Sequence, residues 1–244
     1  MGGFWSDRRG RWGARKCWYA EHPAYGEDLD CKMSKLVDSF RRSVKHGWKQ
    51  VLEELFGDAT VLRSKDLEQR GLARSRIRDA MESGMLERVG HGLYSRYGAE
   101  LSEHHSLVQV ARRVPNAAIC LLSALRFHEL TTQNPHEVWI AIGSKDRRPK
   151  LNETPLKVLR YGPEHFDLGL EEHEVEGARL RVYSAARTVV DLFRYRNKIG
   201  LDVALEALKE GWRERRFTLA DLNRIARACR MESVMKPYLE SLTT

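Results

Sequence analysis

The sequence predicts an α+β fold, in which a helix-rich amino-terminal module precedes a mixed domain that has a small sheet and a helical carboxyl-terminal part. Three observations predict it: apolar residues recur at helical spacing in many segments, short runs of β-strand character lie between them, and glycines mark the turns. The 244 residues, of which 42% are hydrophobic, suffice for packed cores.

Residues 1–32 differ in composition from the rest of the chain. They contain Trp5, Trp12, Trp18 and many charges, but Leu29 is their only Leu, Ile or Val, so they cannot form a periodic apolar face. We therefore expect a disordered or non-native leader over 1–32, with Met33 as the natural start or as the start of folded structure. A flexible basic arm is the alternative.

The segment after Met33 begins the amino-terminal module. Trp48, Val51 and Leu52 share one helical stripe, which predicts a first helix over about 47–56. Ser64 is a suitable N-cap for a second helix that ends near Arg70. A turn at Gly71 then leads into a third helix.

The third helix has an apolar side and an arginine-bearing side. Ala73, Ile77, Ala80 and Met81 share the apolar side. Gly84 ends the helix, and the strands Leu86–Val89 and Leu93–Arg96 follow as a hairpin around Gly90, His91 and Gly92. A helix, a short extended segment, two more helices and a hairpin are the elements of a winged helix-turn-helix, so we assign residues 33–98 to a DNA-binding domain of that class.

The predicted recognition helix and wing supply the candidate DNA contacts. Ser75 and Arg78 point away from the apolar side and are the candidates for reading bases, because arginine can hold guanine O6 and N7 together. The candidates for phosphate contacts are Arg63, Lys65, Arg74 and Arg76. The wing adds Arg88, His91 and Arg96. The alternative is a solvated basic helix face without a ligand.

The charge balance is compatible with a nucleic-acid partner. The formal net charge is +8, which raises encounter rates with a polyanion. No apolar run is long enough for a membrane helix and no secretory signal is present, so we expect a cytoplasmic protein without a membrane contact. The cysteines lack CxxC spacing, and Cys120 and Cys229 lie among apolar residues, which favours buried reduced thiols.

Residues 99–244 are expected to form a second, mixed α/β domain. Two helical stretches, HHSLVQVARRVP and ICLLSALRFHEL, open it. The predicted strands are Val138–Ile142, Leu156–Tyr161, Glu172–Val175 and Arg179–Tyr183, the last two turning at Gly177. The stretch GSKDRRPK reads as an exposed loop, and the helical stripes that follow belong to the carboxyl-terminal part.

Catalytic patterns are weak throughout the chain. No HxxxH or HExxH pair falls on one predicted helix, and no phosphate-binding glycine loop or Gly-x-Ser-x-Gly elbow occurs. We therefore expect no catalytic residue, no metal site and no cofactor. Two alternatives stay open: a metal-dependent nuclease that a winged helix delivers to DNA, and a ligand-responsive transcription factor.

Four strings in the second domain resemble the AbiEi family of antitoxins. They are AICLLSALRFHELTTQNPHEVWIAI, RRP, LRVYSAARTVVDLFRYRNKIGLDVALEAL and MKPYLE, and the resemblance spans about 40–242. It implies the antitoxin of a type IV toxin–antitoxin system, with a winged-helix domain that binds inverted repeats in its own promoter and represses its operon. It further implies a carboxyl-terminal antitoxin domain and a nucleotidyltransferase-like partner toxin of the AbiEii type.

Within the matched strings, several residues have assignable roles. Ser184 is placed as the N-cap of a helix, in which Asp191 can pair with Arg187 one turn earlier. The residues proposed to face the toxin or an anionic nucleotide are Arg147, Arg148, Arg196, Asn197 and Lys198. A single winged helix makes few contacts, so we expect two half-sites to be occupied by a homodimer or by cooperative monomers.

Overall fold

The computed structural model describes residues 50–151 and 154–242. Contacts along the backbone divide the chain into the units Met1–Val51 and Leu52–Thr244. The described strands, and the described helices that begin after Val51, lie within the second unit. The predictions for residues 1–32 and for Met33 concern positions outside the described residues.

The amino-terminal module has its elements in the order that the sequence predicts. They are α1 (50–56), β1 (Val61–Arg63), α2 (Ser64–Gln69), α3 (Arg74–Glu82), β2 (Leu86–Gly90) and β3 (Leu93–Arg96). The three strands form an antiparallel sheet in the order β1-β3-β2. The hairpin register shifts between Arg88 and Gly90, just before the turn.

The start of α2 differs from the prediction. Its N-cap is Arg63 and not Ser64, because the Asp66 carboxylate, three residues further on, accepts the Arg63 N–H at 3.1 Å. The Ser64 hydroxyl instead donates across the module to the carbonyl of Gly92 at 3.4 Å. Ala73 also departs from the prediction, since it caps α3 and is exposed rather than buried.

The second part of the chain contains one mixed sheet and most of the helices. Its elements are α4 (His105–Arg113), β4 (Ala118–Ile119), α5 (Leu121–Phe127), β5 (Val138–Gly143), β6 (Leu156–Tyr161), α6 (Pro163–Phe166), β7 (Leu170–Val175), β8 (Ala178–Tyr183), α7 (Ala185–Arg194), α8 (Arg196–Ile199), α9 (Leu201–Arg213), α10 (Leu219–Ala228) and α11 (Glu232–Glu240). The α+β character and the four predicted strands are confirmed.

The sheet has the order β6-β5-β4-β8-β7. Strand β4 pairs antiparallel with β5 and parallel with β8, so this two-residue strand, which the sequence does not predict, joins the halves of the sheet. Strand β6 runs parallel to β5, and β7 runs antiparallel to β8.

Each face of this sheet has its own hydrophobic core. On one face, Leu107 and Val110 of α4 pack with Ile140 and Val182 of the strands. On the other face, Ala141 and Tyr183 belong to a larger core with residues of α5, α7, α9, α10 and α11. Cys120 and Cys229 are free thiols in this larger core, as predicted.

The amino-terminal module shares a core with the sheet. Val61 of β1 and Leu93 of β3, which are 0% and 3% exposed, belong to the same cluster as Leu107 and Val108 of α4. Helix α4 therefore lies between the module's strands and the sheet. Burial of these aliphatic side chains against one another stabilises the packing of the module on α4.

Helix α7 confirms two local predictions. The Ser184 hydroxyl accepts the N–H of Arg187 at 3.2 Å, and Arg187 Nε donates to Asp191 Oδ2 at 2.8 Å. Both side chains of this ion pair are 0% exposed, and the guanidinium lies over the rings of Tyr161 and Tyr183. Among the described residues, no helix is both long and apolar enough to cross a membrane.

Candidate nucleic-acid interface

Helix α3 presents its polar side outward. Ile77 and Ala80 are buried beneath it, whereas Ser75, Arg76 and Arg78 are exposed. Ile77 and Ala80 are three positions apart, so one stripe of the helix is anchored and the opposite stripe faces away from the module. In the part of the chain that the structure describes, Arg78 makes no hydrogen bond or ion pair. Its guanidinium is therefore available to an external acceptor.

The predicted phosphate contacts around α2 differ in their surroundings. Lys65 is exposed on the first turn of α2. Arg74, whose side chain is 84% exposed, donates from Nε to Glu68 Oε1 at 2.6 Å, and this hydrogen bond raises the pKa of Arg74. Because an exposed ion pair contributes little and is screened by salt, a phosphate can compete with Glu68 for Arg74.

Arg63 is held more firmly by its own chain. Its Nε and Nη2 donate to the two carboxylate oxygens of Asp66, each at 3.1 Å. Burial opposes the ionisation of Asp66, but the hydrogen bonds from Arg63 outweigh it and lower the pKa of that carboxyl. Arg63 therefore helps to start α2, and this role competes with the predicted phosphate contact.

The wing residues Arg88 and His91 lie together at the hairpin turn. Arg88 Nε donates to the Gly90 carbonyl at 3.1 Å, and Arg88 Nη2 lies 3.1 Å from His91 Nδ1. Both residues are exposed. These contacts stabilise the hairpin turn next to the register shift between Arg88 and Gly90. They also place two polar side chains at the tip of the wing.

Arg96 does not extend outward as the sequence suggests. Its guanidinium lies over the ring of Phe56 on α1, 5.8 Å from the ring centre, and its Nε is buried without a hydrogen-bond partner among the described residues. The negative face of the buried Phe56 ring attracts the guanidinium. The prediction that Arg96 reaches a groove is therefore at odds with its position.

Two arginines at the end of α4 adjoin the module, and sequence reasoning did not include them. Burial lowers the pKa of Arg112, the nearby Asp66 counteracts this, and the charge of Arg63 adds to it, so Arg112 lies within their field. Arg113 reaches the wing turn, because its Nη1 is 3.9 Å from the position of a Cβ built on Gly92. The only sequence signal was a pair of arginines in a last helical turn.

The loop with Arg147 and Arg148 lies on the α4 side of the sheet. Both residues are exposed. Arg160 Nη1 donates to the carbonyls of Ser144 and Asp146, at 2.9 and 2.7 Å, and so holds the start of the loop. Further along, Leu151 packs against the core on the α4 side. Residues of the loop also line a small crevice with the wing; its walls include Gly90, Leu93, Leu151 and Thr154.

The residues after α7 lie on the other side of the sheet. Tyr195 and Ile199 pack against the larger core, and Asn197 and Lys198 are exposed between them. Arg196 Nη1 donates to the Phe193 carbonyl at 2.9 Å. The structure therefore does not bring the two sets of predicted partner residues together, because the segments that carry them pack against opposite faces of the sheet. Chain distance gave no information on the face that each loop occupies.

A metal-dependent enzyme would need several ligating side chains close together. Among the residues that the structure describes, no group of three or more metal-ligating side chains occurs. A surface cleft of about 270 Å³ is lined by Glu171, Arg216, Asp221 and Arg224. Its charges compensate one another, since Arg224 lies 3.6 Å from Asp221 and Arg216 contacts other carboxylates.

Comparisons with known proteins concern the module and the fold. Residues 50–97 match a family model described as "Transcriptional regulator, AbiEi antitoxin". Among curated proteins, none matches the chain. The crystal structure of the RV2827C protein from Mycobacterium tuberculosis resembles the chain with a TM-score of 0.54 and 17% identity, over 78% of this chain and 76% of that one. This likeness concerns the fold. The resemblance to AbiEi antitoxins is confirmed over residues 50–97, the part of the chain that matches this family of transcriptional regulators.

Proposed function

We propose that this protein is an antitoxin that represses its own operon by binding operator DNA through a winged helix-turn-helix at residues 50–97. Helix α3 would enter the major groove, and the β2–β3 hairpin would act as the wing. The observation that carries the proposal is the outward face of α3, where Ser75, Arg76 and Arg78 are exposed above the buried Ile77 and Ala80.

The contacts divide into base reading and phosphate binding. Arg78 and Ser75 are the base-reading residues, and Arg78 brings a guanidinium with no partner in the described chain. The phosphate contacts fall to Lys65, Arg74 and Arg76, with Arg88 and His91 from the wing. Arg63 and Arg96 contribute positive charge without direct contact to the DNA, because Arg63 is bound to Asp66 and Arg96 lies on the Phe56 ring.

A binding assay on DNA from upstream of the gene tests this proposal. Arg78→Ala should lose about 1–3 kcal/mol of discrimination between operator and unrelated DNA. Arg74→Ala should weaken binding to all sequences alike and reduce the salt slope by about one. Fluorescence anisotropy at several salt concentrations measures both effects.

Arg224→Ala is the matched control for this assay. It removes one exposed arginine from α10, in the helical part of the chain, and should leave affinity and discrimination unchanged. If Arg78→Ala discriminates between sequences as well as the unaltered protein, Arg78 does not read bases. Absence of any preference of the unaltered protein for its own upstream DNA would contradict the proposal as a whole.

The antitoxin activity is assigned to the carboxyl-terminal part. The family of the module supports a regulator or an antitoxin, and the partner would be a nucleotidyltransferase-like toxin encoded by a neighbouring gene. The corner at Arg196, Asn197 and Lys198, of which the last two are exposed, is one candidate contact. Arg147 with Arg148, on a loop that packs toward the opposite face of the sheet, is a separate one.

Charge reversal separates the two candidate contacts. We expect Arg196→Glu with Lys198→Glu to abolish growth protection against the toxin and to leave operator binding intact, because the corner lies on the face away from α4. Arg147→Glu with Arg148→Glu serves as the parallel variant. If all four reversals together leave protection intact, neither loop is the toxin contact.

A further inference from the structure

The carboxylate of Glu176 links the turn between β7 and β8 to the amino-terminal module. Glu176 accepts hydrogen bonds from the Thr60 hydroxyl, from the backbone N–H and hydroxyl of Ser102 at 2.8 and 2.6 Å, and contacts His105 Nδ1 at 3.1 Å. Thr60 immediately precedes β1, Ser102 lies between β3 and α4, and His105 begins α4. One side chain thus connects three segments close to where the module packs on α4.

The backbone of the same turn is fitted closely to the module. The Thr60 N–H donates to the Glu176 carbonyl at 3.3 Å, and Arg112 Nη2 donates to the Gly177 carbonyl at 2.6 Å. A Cβ on Gly177 would lie 2.8 Å from the backbone N and Cα of Ala59. Only glycine fits this contact without a shift of the chain.

Glu176 is retained in an unfavourable conformation and in its charged form. Its φ of +50° lies in the left-handed region, which costs about 1 kcal/mol or more for a residue with a side chain. Burial opposes ionisation, but the hydrogen bonds from Ser102, Thr60 and His105 outweigh it and lower the pKa of Glu176 to about 2. Hydrogen bonds to a carboxylate are stronger than neutral ones, so the turn is a firm attachment.

The module also has an apolar contact with α4. Val61 and Leu93 rest on α4 through buried aliphatic side chains. Apolar burial holds the module against α4 but has no preferred direction, whereas hydrogen bonds fix direction. The Glu176 contacts therefore add a directional restraint to the shared core.

We propose that Glu176 is a positioning residue for DNA binding, which sets the direction of α3 relative to the sheet. The inference rests on the proposed function. When two half-sites are occupied, their spacing must match the relative orientation of the two recognition helices. A module whose orientation relative to the sheet varies can still bind one half-site, but two such modules fit a pair of half-sites less well. The turn at Glu176 lies more than 90 residues after α3 in the chain and still determines its aim.

We call the contacts of Glu176 with Thr60, Ser102 and His105 the joint, and two substitutions weaken it in different ways. Glu176→Asn suits the left-handed backbone but is too short to reach Thr60 and Ser102. Thr60→Val removes only the hydroxyl on the module side of the joint. Glu174→Gln, an exposed neighbour on β7, is the matched control. Glu176→Gln keeps the length and one acceptor oxygen.

The readout is binding to the complete operator compared with binding to a fragment that carries one half-site, both defined by footprinting on the upstream DNA. Glu176→Asn and Thr60→Val should bind the single half-site like the unaltered protein but lose about tenfold in affinity for the complete operator. Glu174→Gln should change neither, and Glu176→Gln should recover part of the loss. A thermal melt shows that each variant is folded.

The outcomes separate this inference from the proposed function. If the unaltered protein binds its upstream DNA and both joint variants bind the complete operator equally well, the positioning role is wrong and DNA binding stands. An equal loss on one half-site and on the complete operator indicates damage to the module and also overturns positioning. If the unaltered protein binds neither DNA, the proposed function fails, and the inference fails with it.

Discussion

At the scale of single residues, the arginines of this chain show how neighbours decide the role of one side-chain type. Arg78 is exposed and has no partner in the described part of the chain, while Arg74 carries an exposed carboxylate beside it. Arg96 lies on an aromatic ring, and Arg187 is fully buried against Asp191. Only the first two present their charge to an external anion at low cost, since the others would lose contacts within the fold.

The buried pair on α7 gives a prediction about stability. Asp191→Ala leaves the Arg187 guanidinium buried without its counter-charge, which should lower the free energy of unfolding by about 3–5 kcal/mol. Arg187→Met combined with Asp191→Leu should recover much of this loss, because no unpaired charge remains. Urea unfolding measures both variants. A cost below about 1 kcal/mol for Asp191→Ala would show that the guanidinium reaches water or another acceptor.

At the scale of elements, the start of α2 combines a structural and an electrostatic role in Asp66. Its carboxylate accepts the N–H that opens the helix and also neutralises Arg63. Helix starts favour a negative charge, so the arrangement stabilises α2. It also reduces the positive field beside the predicted recognition helix, because Arg63 and Arg112 both lie near this carboxylate.

Asp66→Asn should therefore strengthen binding to DNA of any sequence. The amide oxygen can still accept the Arg63 N–H, while the guanidinium is released toward phosphate. We expect the slope of log Kd against log salt to steepen by about one, as for one added phosphate contact. Asp202→Asn, the same charge change at an exposed position of α9, is the control. Equal slopes for the two variants would show that Arg63 stays away from the DNA.

At the scale of the whole molecule, α4 packs against both the module and the sheet, and Glu176 accepts a hydrogen bond from Thr60 of the module. The carboxylate at the joint links this assembly to pH. The pKa of Glu176 is about 2 in the folded chain and near 4.5 in the unfolded chain, so folding is favoured by its ionised form. Its contribution is complete above pH 4.5 and is lost as the pH falls from 4.5 towards 2.

The pH prediction can be measured as a difference between two proteins. Between neutral pH and pH 3, urea unfolding of the unaltered protein should lose more free energy than unfolding of Glu176→Gln, which has no carboxyl at this position. Other carboxylates titrate equally in both, and the subtraction removes them. Parallel curves for the two proteins would mean that the Glu176 carboxylate is not held by the module in solution.

Local patterns predicted much of the fold, including helix α3 and the wing of the candidate site. The buried stripe of α3, the glycine turn of the wing and the Ser184 cap depend on residues a few positions apart, and the structure has each of them. The strand β4 was beyond such reasoning, because two residues carry no periodicity and their strand character comes from pairing with β5 and β8.

The sequence by itself determined where most of the described helices, strands and turns form and which side of α3 faces outward, since spacing and glycine conformation are local properties. Only the tertiary structure decided which arginines keep an available charge, which face of the sheet each basic loop occupies, and that Glu176 reaches Thr60 across 116 positions of the chain. These contacts arise where distant segments pack together, and burial and hydrogen bonding there depend on the whole arrangement.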